Sequence, residues 1–181
     1  MIGWDRYDMR LKKAIENGIE EVVNTENEDP IKKTIEFSRG YGIDTAFVCF
    51  GGEGTSTFNL IVETMKTAPD THKMGKIVIV GGVELNLKFP TFLGNIDIYP
   101  SSRTGPGYHD EKWEHGNDYP PVFVQWTTKR NLEEILLLVK NRRLNLKSLI
   151  TDIFPLTKIS EACEKIINHP DKTLGVVLKC R

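Results

Sequence analysis

Thr45-Ala46-Phe47-Val48-Cys49-Phe50-Gly51-Gly52-Glu53-Gly54 is a short apolar run that ends in glycines. Phe58, Ile61, Val62 and Met65 follow at helix spacing, and a second apolar run, Lys76-Ile77-Val78-Ile79-Val80, comes after them. A short continuous apolar run bounded by turn signals reads as a buried strand, whereas recurrence at i, i+3, i+4 and i+7 reads as one face of a helix. Strand, turn, helix and strand in that order form the unit of a parallel sheet, because a parallel pair needs a long crossover.

The same alternation extends outward on both sides. Upstream lie Ile2-Gly3-Trp4-Asp5, a helical stripe of Leu11, Ala14, Ile15 and Gly18, and the run Glu21-Val22-Val23. Downstream, the apolar runs are Ile96 to Tyr99, Leu149 to Phe154 and Leu174 to Leu178. Between them recur Leu132, Ile135, Leu136 and Val139, then Ile159, Ala162, Cys163 and Ile166. Each helical set is expected to be a buried stripe. Continuous apolar strands imply cover on both faces, so the expected class is α/β: a doubly wound, mostly parallel sheet with helices on both faces.

Punctuation agrees with this order. Gly18 is placed to close the first helix, Asp29-Pro30 to open the second, and Gly40-Tyr41-Gly42 to stop it. From about 100 to 127 neither period holds, and Pro100, Gly105-Pro106-Gly107, Gly116 and Pro120-Pro121 predict a long surface loop. The chain reads as a single domain over 1–181.

With 24 basic and 25 acidic side chains among 181 residues, no net field draws the chain to nucleic acid or to an anionic membrane. No stretch reaches the roughly 18 apolar residues of a membrane span, and the first residues lack the pattern of a secretory leader. Cys49, Cys163 and Cys180 are odd in number and far apart, which fits reduced thiols, and the expected compartment is cytoplasmic.

Asp5 is the most informative polar residue. In dinucleotide-binding folds an acidic side chain at the carboxyl end of the second strand accepts from the adenosine ribose hydroxyls. Position alone weighs equally for an aspartate at a helix start, although Asp8 is the better capping candidate. Arg6 and Arg10 can contact the adenosine phosphate, and Arg6 leaves room for a 2'-phosphate; a solvated helix face is the plainer reading of each. Gly51-Gly52-Glu53-Gly54 resembles a phosphate turn, but it lacks the Lys-Ser/Thr pair and the final glycine of the known patterns, which favours a tight strand-to-helix turn. Ligands of doubly wound folds gather at strand carboxyl ends, so Cys49 to Gly52 and Val80 to Val83 are candidate walls of such a site.

His109 and His115 share the long loop at a spacing that fits no common zinc pattern, and they read as exposed loop residues. His72 and His169 sit beside prolines and read as turn residues. No metal site is expected.

The series Ile2-Gly3-Trp4-Asp5, Leu11-Lys12-Lys13-Ala14, Gly18, Glu21-Val22-Val23-Asn24, Gly42-Ile43-Asp44, Lys76 to Gly81 and Leu149 to Leu156 resembles the medium-chain zinc-type alcohol and threonine dehydrogenases. The likeness starts at the second strand of their Rossmann-type cofactor domain and runs nearly to the end. Ser101 to Tyr108 and Asn117 to Asn131 look like the medium-chain half of bi-domain oxidoreductases. The resemblance implies a parent longer at both ends, truncated here before the second strand. It also implies loss of the first strand, of the Gly-rich turn and of the N-terminal catalytic domain that carries zinc ligands and proton relay.

What carries over is NAD or NADP binding, with NAD favoured by Asp5: Asp5, Arg6 and Arg10 at the adenosine end, and Cys49, Phe50, Gly51, Val80, Gly81 and Gly82 beside pyrophosphate and nicotinamide. No catalytic residue carries over, so the chain alone is not expected to turn over substrate. With strand order 3-2-1-4-5-6, loss of the first strand leaves a gap between the strands ending at Asp5 and Phe50. Either the halves close on one another or another chain fills the space. A homo-oligomer, most simply a dimer, is expected, and the competing reading is a non-enzymatic self-association module.

Overall fold

A computed structural model describes residues 1–88, 93–101 and 104–180. The chain divides into two compact units, Met1–Ser101 with Cys163–Leu174, and Ser102–Ala162 with Gly175–Arg181.

The first unit opens with β1 (Ile2–Asp5), α1 (Asp8–Glu16), β2 (Glu21–Asn24) and α2 (Pro30–Phe37). It continues with β3 (Thr45–Val48), the two-residue β4 (Gly52–Glu53), α3 (Thr55–Thr64), β5 (Met74–Ile79), β6 (Val83–Glu84) and β7 (Asn95–Pro100). β1 pairs with β2 in parallel, β5 lies between β3 and β7 with both pairings parallel, and β4 pairs with β6 at the strand ends. The fold is therefore the α/β parallel class that the alternation of periods predicts.

Local chemistry explains the helix limits. Asp29 caps α2 by accepting from the amides of Ile31 and Lys32, with Pro30 at the first helical position. α1 ends as expected at Gly18: the Gly18 amide donates to Ile15 and the Ile19 amide to Ala14, a Schellman closure around a left-handed glycine (φ 95°). α2 closes by the same pair of bonds, from Arg39 to Glu36 and from Gly40 to Ile35, but the left-handed residue here is Arg39 (φ 57°). α1 departs from the expected cap. Its N-cap position is Tyr7, Asp8 already lies in the first turn, and the Asp8 carboxylate accepts instead from the Asn24 side chain.

The core forms where α3 lies on the three-stranded sheet. Phe58, Ile61, Val62 and Met65 of the predicted stripe are buried against Ala46, Val48 and Ile77. Each fully buried side chain of this size stabilises the fold by about 1.5–3 kcal/mol relative to leaving it in water. Trp4 of β1 packs on the same cluster, and its indole N–H donates to Thr34 Oγ1 of α2 at 3.0 Å, with Thr34 fully buried. α2 packs on α3 as well as on β1 and β2, so the two sheets share one helical layer.

On the other face of the three-stranded sheet, the register row Phe47–Val78–Tyr99 is poorly covered: Phe47 is 64% and Tyr99 48% exposed. The burial pattern of β3 accordingly alternates rather than being buried throughout.

The second unit contains the single turn α4 (Glu111–Glu114), α5 (Thr128–Lys140), β8 (Ile150–Pro155), the start of α6 (Ile159–Asn168) and β9 (Gly175–Lys179), with β8 parallel to β9. The segment before α5 is tied together by Arg130, which donates to the carbonyls of Val124, Gln125 and Tyr119 and to the Asp118 carboxylate at 2.8 Å. Asp110 caps α4 and accepts from the Tyr119 hydroxyl. Ser102 and Arg103 of the Ser101 to Tyr108 motif lie outside the described residues.

Three predicted buried stripes are corrected. Leu132, Ile135, Leu136 and Val139 of α5 are all exposed. Of the α6 set only Ala162 is buried, and Ile15 of α1 is also exposed. Periodicity identifies which residues share a helix face, but it does not say that anything covers that face.

Candidate functional site

The carboxyl ends of β1, β3 and β5 carry the residues singled out from the sequence, and all of them belong to the first unit. Asp5 is the last residue of β1 and is partly exposed. Its Oδ1 accepts from the Tyr7 amide at 2.9 Å, which forms the turn into α1, and its Oδ2 lies 3.8 Å from the Arg10 guanidinium. One oxygen thus shapes the helix start, and the other sits at the strand end beside a cation.

Arg6 and Arg10 stack on the Tyr7 ring at 4.8 and 4.9 Å. Arg10 also donates to the carbonyl of Pro170 at 3.1 Å, while its Nε is buried without a hydrogen-bond partner among the described residues. Arg10 is therefore fixed in place, with one donor still available. Arg6 is exposed and, among the described residues, is held by its stacking on Tyr7.

The ends of β3 and β5 approach one another through glycine. The amides of Val80 and Gly81 both donate to the Val48 carbonyl, and the Gly52 amide donates to the Gly82 carbonyl. A Cβ on Gly81 would fall 2.1 Å from the Phe50 carbonyl oxygen, so glycine there is imposed by backbone packing. A Cβ on Gly82 would meet nothing within 4 Å, and one on Gly51 only the Gly82 backbone at 3.4 Å. Cys49, Phe50 and Val80 are exposed at these ends. The open space lies over Gly82 rather than Gly81.

Gly51-Gly52-Glu53-Gly54 folds as the tight strand-to-helix turn favoured from sequence, with Gly54 capping α3. Glu53 accepts from the Thr55 amide at 2.9 Å, so a carboxylate occupies the helix N-terminus where a phosphate would otherwise be attracted. The bonds to Thr55 hold the Glu53 carboxyl below the ordinary carboxylate range. Sequence reasoning missed the small β4–β6 pairing that seats this turn; two-residue strands have no period to read.

Among the described residues there is no group of three or more His, Cys, Asp or Glu side chains placed to hold a metal ion. His109 and His115 are engaged locally, with the His109 amide donating to Glu114 and His115 Nδ1 bonded to the Glu111 carbonyl. In the second unit a cavity of about 400 Å³ is lined by Trp113, Leu132 and Leu136 with Asp118, Lys129 and Glu133, and no strand-end residue contributes to it. Among the described residues no helix is long and apolar enough to cross a membrane.

This arrangement, parallel strands joined by helical crossovers with Asp5 ending β1, is a Rossmann-type α/β fold. Solved structures of medium-chain alcohol dehydrogenases and quinone reductases are similar to it in fold over nearly the whole chain. Benzyl alcohol dehydrogenase from Acinetobacter calcoaceticus superposes with a TM-score of 0.71 at 18% identity, covering 99% of this chain and 42% of its own. An NAD-dependent alcohol dehydrogenase gives 0.67 at 20% identity, covering 99% and 43%. A putative NADPH:quinone reductase from Bacillus thuringiensis gives 0.63 at 16%, covering 99% and 48%. The chain thus spans less than half the length of these proteins. No family model and no curated protein matches the sequence.

Proposed function

We propose that this chain is the cofactor-binding portion of an NAD(P)-dependent oxidoreductase of the alcohol, threonine or sugar dehydrogenase kind, and that it is not catalytic by itself. The observation that carries this reading is Asp5 at the carboxyl end of β1 in one parallel sheet, together with the Gly51 and Gly82 turns at the β3 and β5 ends of the other. The residues fit a nicotinamide cofactor in part. Asp5 Oδ2 and Arg10 Nε would hold the adenosine ribose and its phosphate, and the open backbone at Gly82 with Cys49, Phe50 and Val80 would flank the nicotinamide.

When bound, such a cofactor supplies hydride transfer; this chain's residues bind and orient it. Asp5 favours NAD by repelling a 2'-phosphate, while Arg6 is free to turn toward one. The chain's own glycine turn, with Glu53 at its helix end, offers no phosphate nest. Affinity is therefore expected to be weak.

Isothermal titration with NAD, NADH, NADP and ADP-ribose up to millimolar concentration tests the reading. Binding of the adenosine-containing ligands is expected, with Asp5→Ala reducing NAD affinity about tenfold, the equivalent of about 1.4 kcal/mol for a charged hydrogen-bond acceptor. Absence of binding for all four ligands at millimolar concentration refutes it. The second reading, a self-association module, is favoured by the exposed apolar face of α5, and a dimer in sedimentation without nucleotide binding would select it.

A further inference from the structure

The cavity of about 400 Å³ in the second unit is walled on one side by Trp113, and the position of that ring is unusually constrained. Gly107 is buried with φ 128°, and a Cβ there would fall 2.5 Å from Trp113 Cε2, 2.7 Å from Cδ2 and 2.9 Å from Cζ2. Cε2 and Cδ2 form the fused bond inside the indole outline, so a point that near to both lies over the ring face and not at its rim. The Gly107 backbone therefore seats one face of the indole. The ring N–H donates to Asp118 Oδ1 at 3.3 Å, which fixes a second side. What is left to the cavity is the opposite face and the benzo edge.

The supports behind the ring are themselves held. Asp118 Oδ2 accepts from Arg130 at 2.8 Å, and Arg130 is anchored on the carbonyls of Tyr119, Val124 and Gln125. Gly105-Pro106-Gly107 is pinned to the start of α5: the Thr128 amide donates to the Pro106 carbonyl at 2.8 Å, and the Thr128 hydroxyl donates to that of Gly105, also at 2.8 Å. The Gly-Pro-Gly run thus forms a back plate for the indole, and the aromatic face is in place before any ligand arrives.

The rest of the lining selects among ligands. Among the described residues, the side chains of Asn117, Lys129 and Glu133 line the cavity without a hydrogen bond or ion pair. An anion would meet the Asp118 and Glu133 carboxylates and a cation would meet Lys129, while Asp118 is already paired with Arg130. A neutral hydroxyl, which both donates and accepts, is matched by all three free groups: the carboxylate accepts, the ammonium donates and the amide does both. The bare indole face asks in addition for a flat surface of polarised C–H groups. Hydroxyls around the rim of a ring whose face is C–H describe a pyranose. We propose that this cavity is a saccharide-binding site, with a sugar ring stacked on the free face of Trp113 and its hydroxyls bonded to Asn117, Lys129 and Glu133. Its volume lies within the range of about 300–1,000 Å³ usual for small-molecule sites.

The probes are methyl β-glucopyranoside and cellobiose, whose rings carry their hydroxyls equatorially and so present an unbroken C–H face. Each is titrated into the isotopically labelled 181-residue chain without nucleotide, and the three indole N–H resonances are followed by NMR. The Trp113 resonance is expected to move along one saturable curve with a Kd in the millimolar range, as suits a single stacked ring with a few solvent-exposed hydrogen bonds. The Trp4 resonance, from the first unit, should stay in place. Saturation transferred from protein to sugar should fall mainly on the axial ring protons.

Trp113→Ala should abolish saturation transfer, but it also removes a packing element of the loop. Asn117→Ala and Glu133→Ala are therefore the decisive pair: both side chains are exposed, so each variant should melt with the parent. Each should weaken sugar binding about fivefold, the worth of one ordinary hydrogen bond. The proposal is overturned if neither sugar moves the Trp113 resonance at concentrations well above the millimolar range, or if both variants bind as the parent does. It is also overturned if Trp4 and Trp126 move in parallel with Trp113, or if the phosphorylated or amino analogue of glucose binds more tightly than the neutral glucoside, since the lining would then select an ion. No strand-end residue contributes to this cavity, so nucleotide titration fails or succeeds independently of these readouts.

Discussion

Gly81 and Gly82 are adjacent, and the structure assigns them opposite roles, which a pair of alanine substitutions separates. In Gly81→Ala the new Cβ would lie 2.7 Å from the Phe50 carbonyl carbon and 2.1 Å from its oxygen, the latter more than an ångström inside the 3.4 Å at which ordinary contact begins. Both partners are backbone, so no side chain can turn away. Relief requires the β3 and β5 ends to separate, which strains the bonds from Val80 and Gly81 to Val48 and from Gly52 to Gly82. Overpacking costs about 1–3 kcal/mol, and the partial weakening of these backbone bonds about 1 more in all. The total is about 2–4 kcal/mol, or a fall in melting temperature of about 5–15 °C at about 2–4 °C per kcal/mol.

Gly82→Ala meets no atom within 4 Å and should melt with the parent. It should instead weaken any nucleotide that lies over that turn. Thermal unfolding by circular dichroism reads the first effect and titration calorimetry the second. A Gly81→Ala protein that melts within about 1 °C of the parent would refute the packing argument. A Gly82→Ala protein that melts well below it would refute the claim of open space.

Arg39→Gly should stabilise the chain by about 0.5–1 kcal/mol, since the left-handed strain at φ 57° outweighs the extra unfolded-state freedom of glycine, and a small rise in the urea midpoint checks it. The Asp110–Tyr119 pair predicts a two-ended pH dependence. The Tyr119 hydroxyl, with the Trp113 and Lys112 amides, holds the Asp110 carboxyl below its ordinary range, and Asp110 in turn pushes the Tyr119 phenol up. The Asp110 contribution is complete above about pH 4 and is lost as pH falls below it, while that of Tyr119 is complete below about pH 10 and is lost as pH rises beyond it. The stability difference between the parent and Tyr119→Phe should therefore be flat between about pH 5 and 9 and shrink at both ends; a difference that grows at either end would contradict this pairing.

What the sequence revealed depended on whether the signal was local. Asp29-Pro30 and Gly18 mark helix ends through bonds to neighbours a few residues away, and both behave as read. The strands at Thr45 and Lys76 were legible because they are short, apolar and bounded by turn residues. Arg39 was missed as a helix stop because the closing bonds tolerate a non-glycine residue, and the adjacent Gly40 and Gly42 drew attention away.

The apolar stripe of α5 shows the limit of periodicity, since Leu132 and Leu136 repeat as a buried face does and yet face water. At the candidate site, the place of Asp5 at the end of β1 was legible from the short segment between it and the first helix. The division of labour between Gly81 and Gly82 was not, because it depends on how close two strands that are far apart in sequence come to each other.

The placement of Trp4 has a practical corollary. Of the three tryptophans, Trp4 alone belongs to the first unit, whereas Trp113 and Trp126 belong to the second. A double Trp113→Phe, Trp126→Phe chain would emit only from the indole bonded to Thr34, and a Trp4→Phe chain only from the other two. The two halves thus carry separable optical labels, and denaturation followed in these two chains would reveal whether they melt in concert or one after the other.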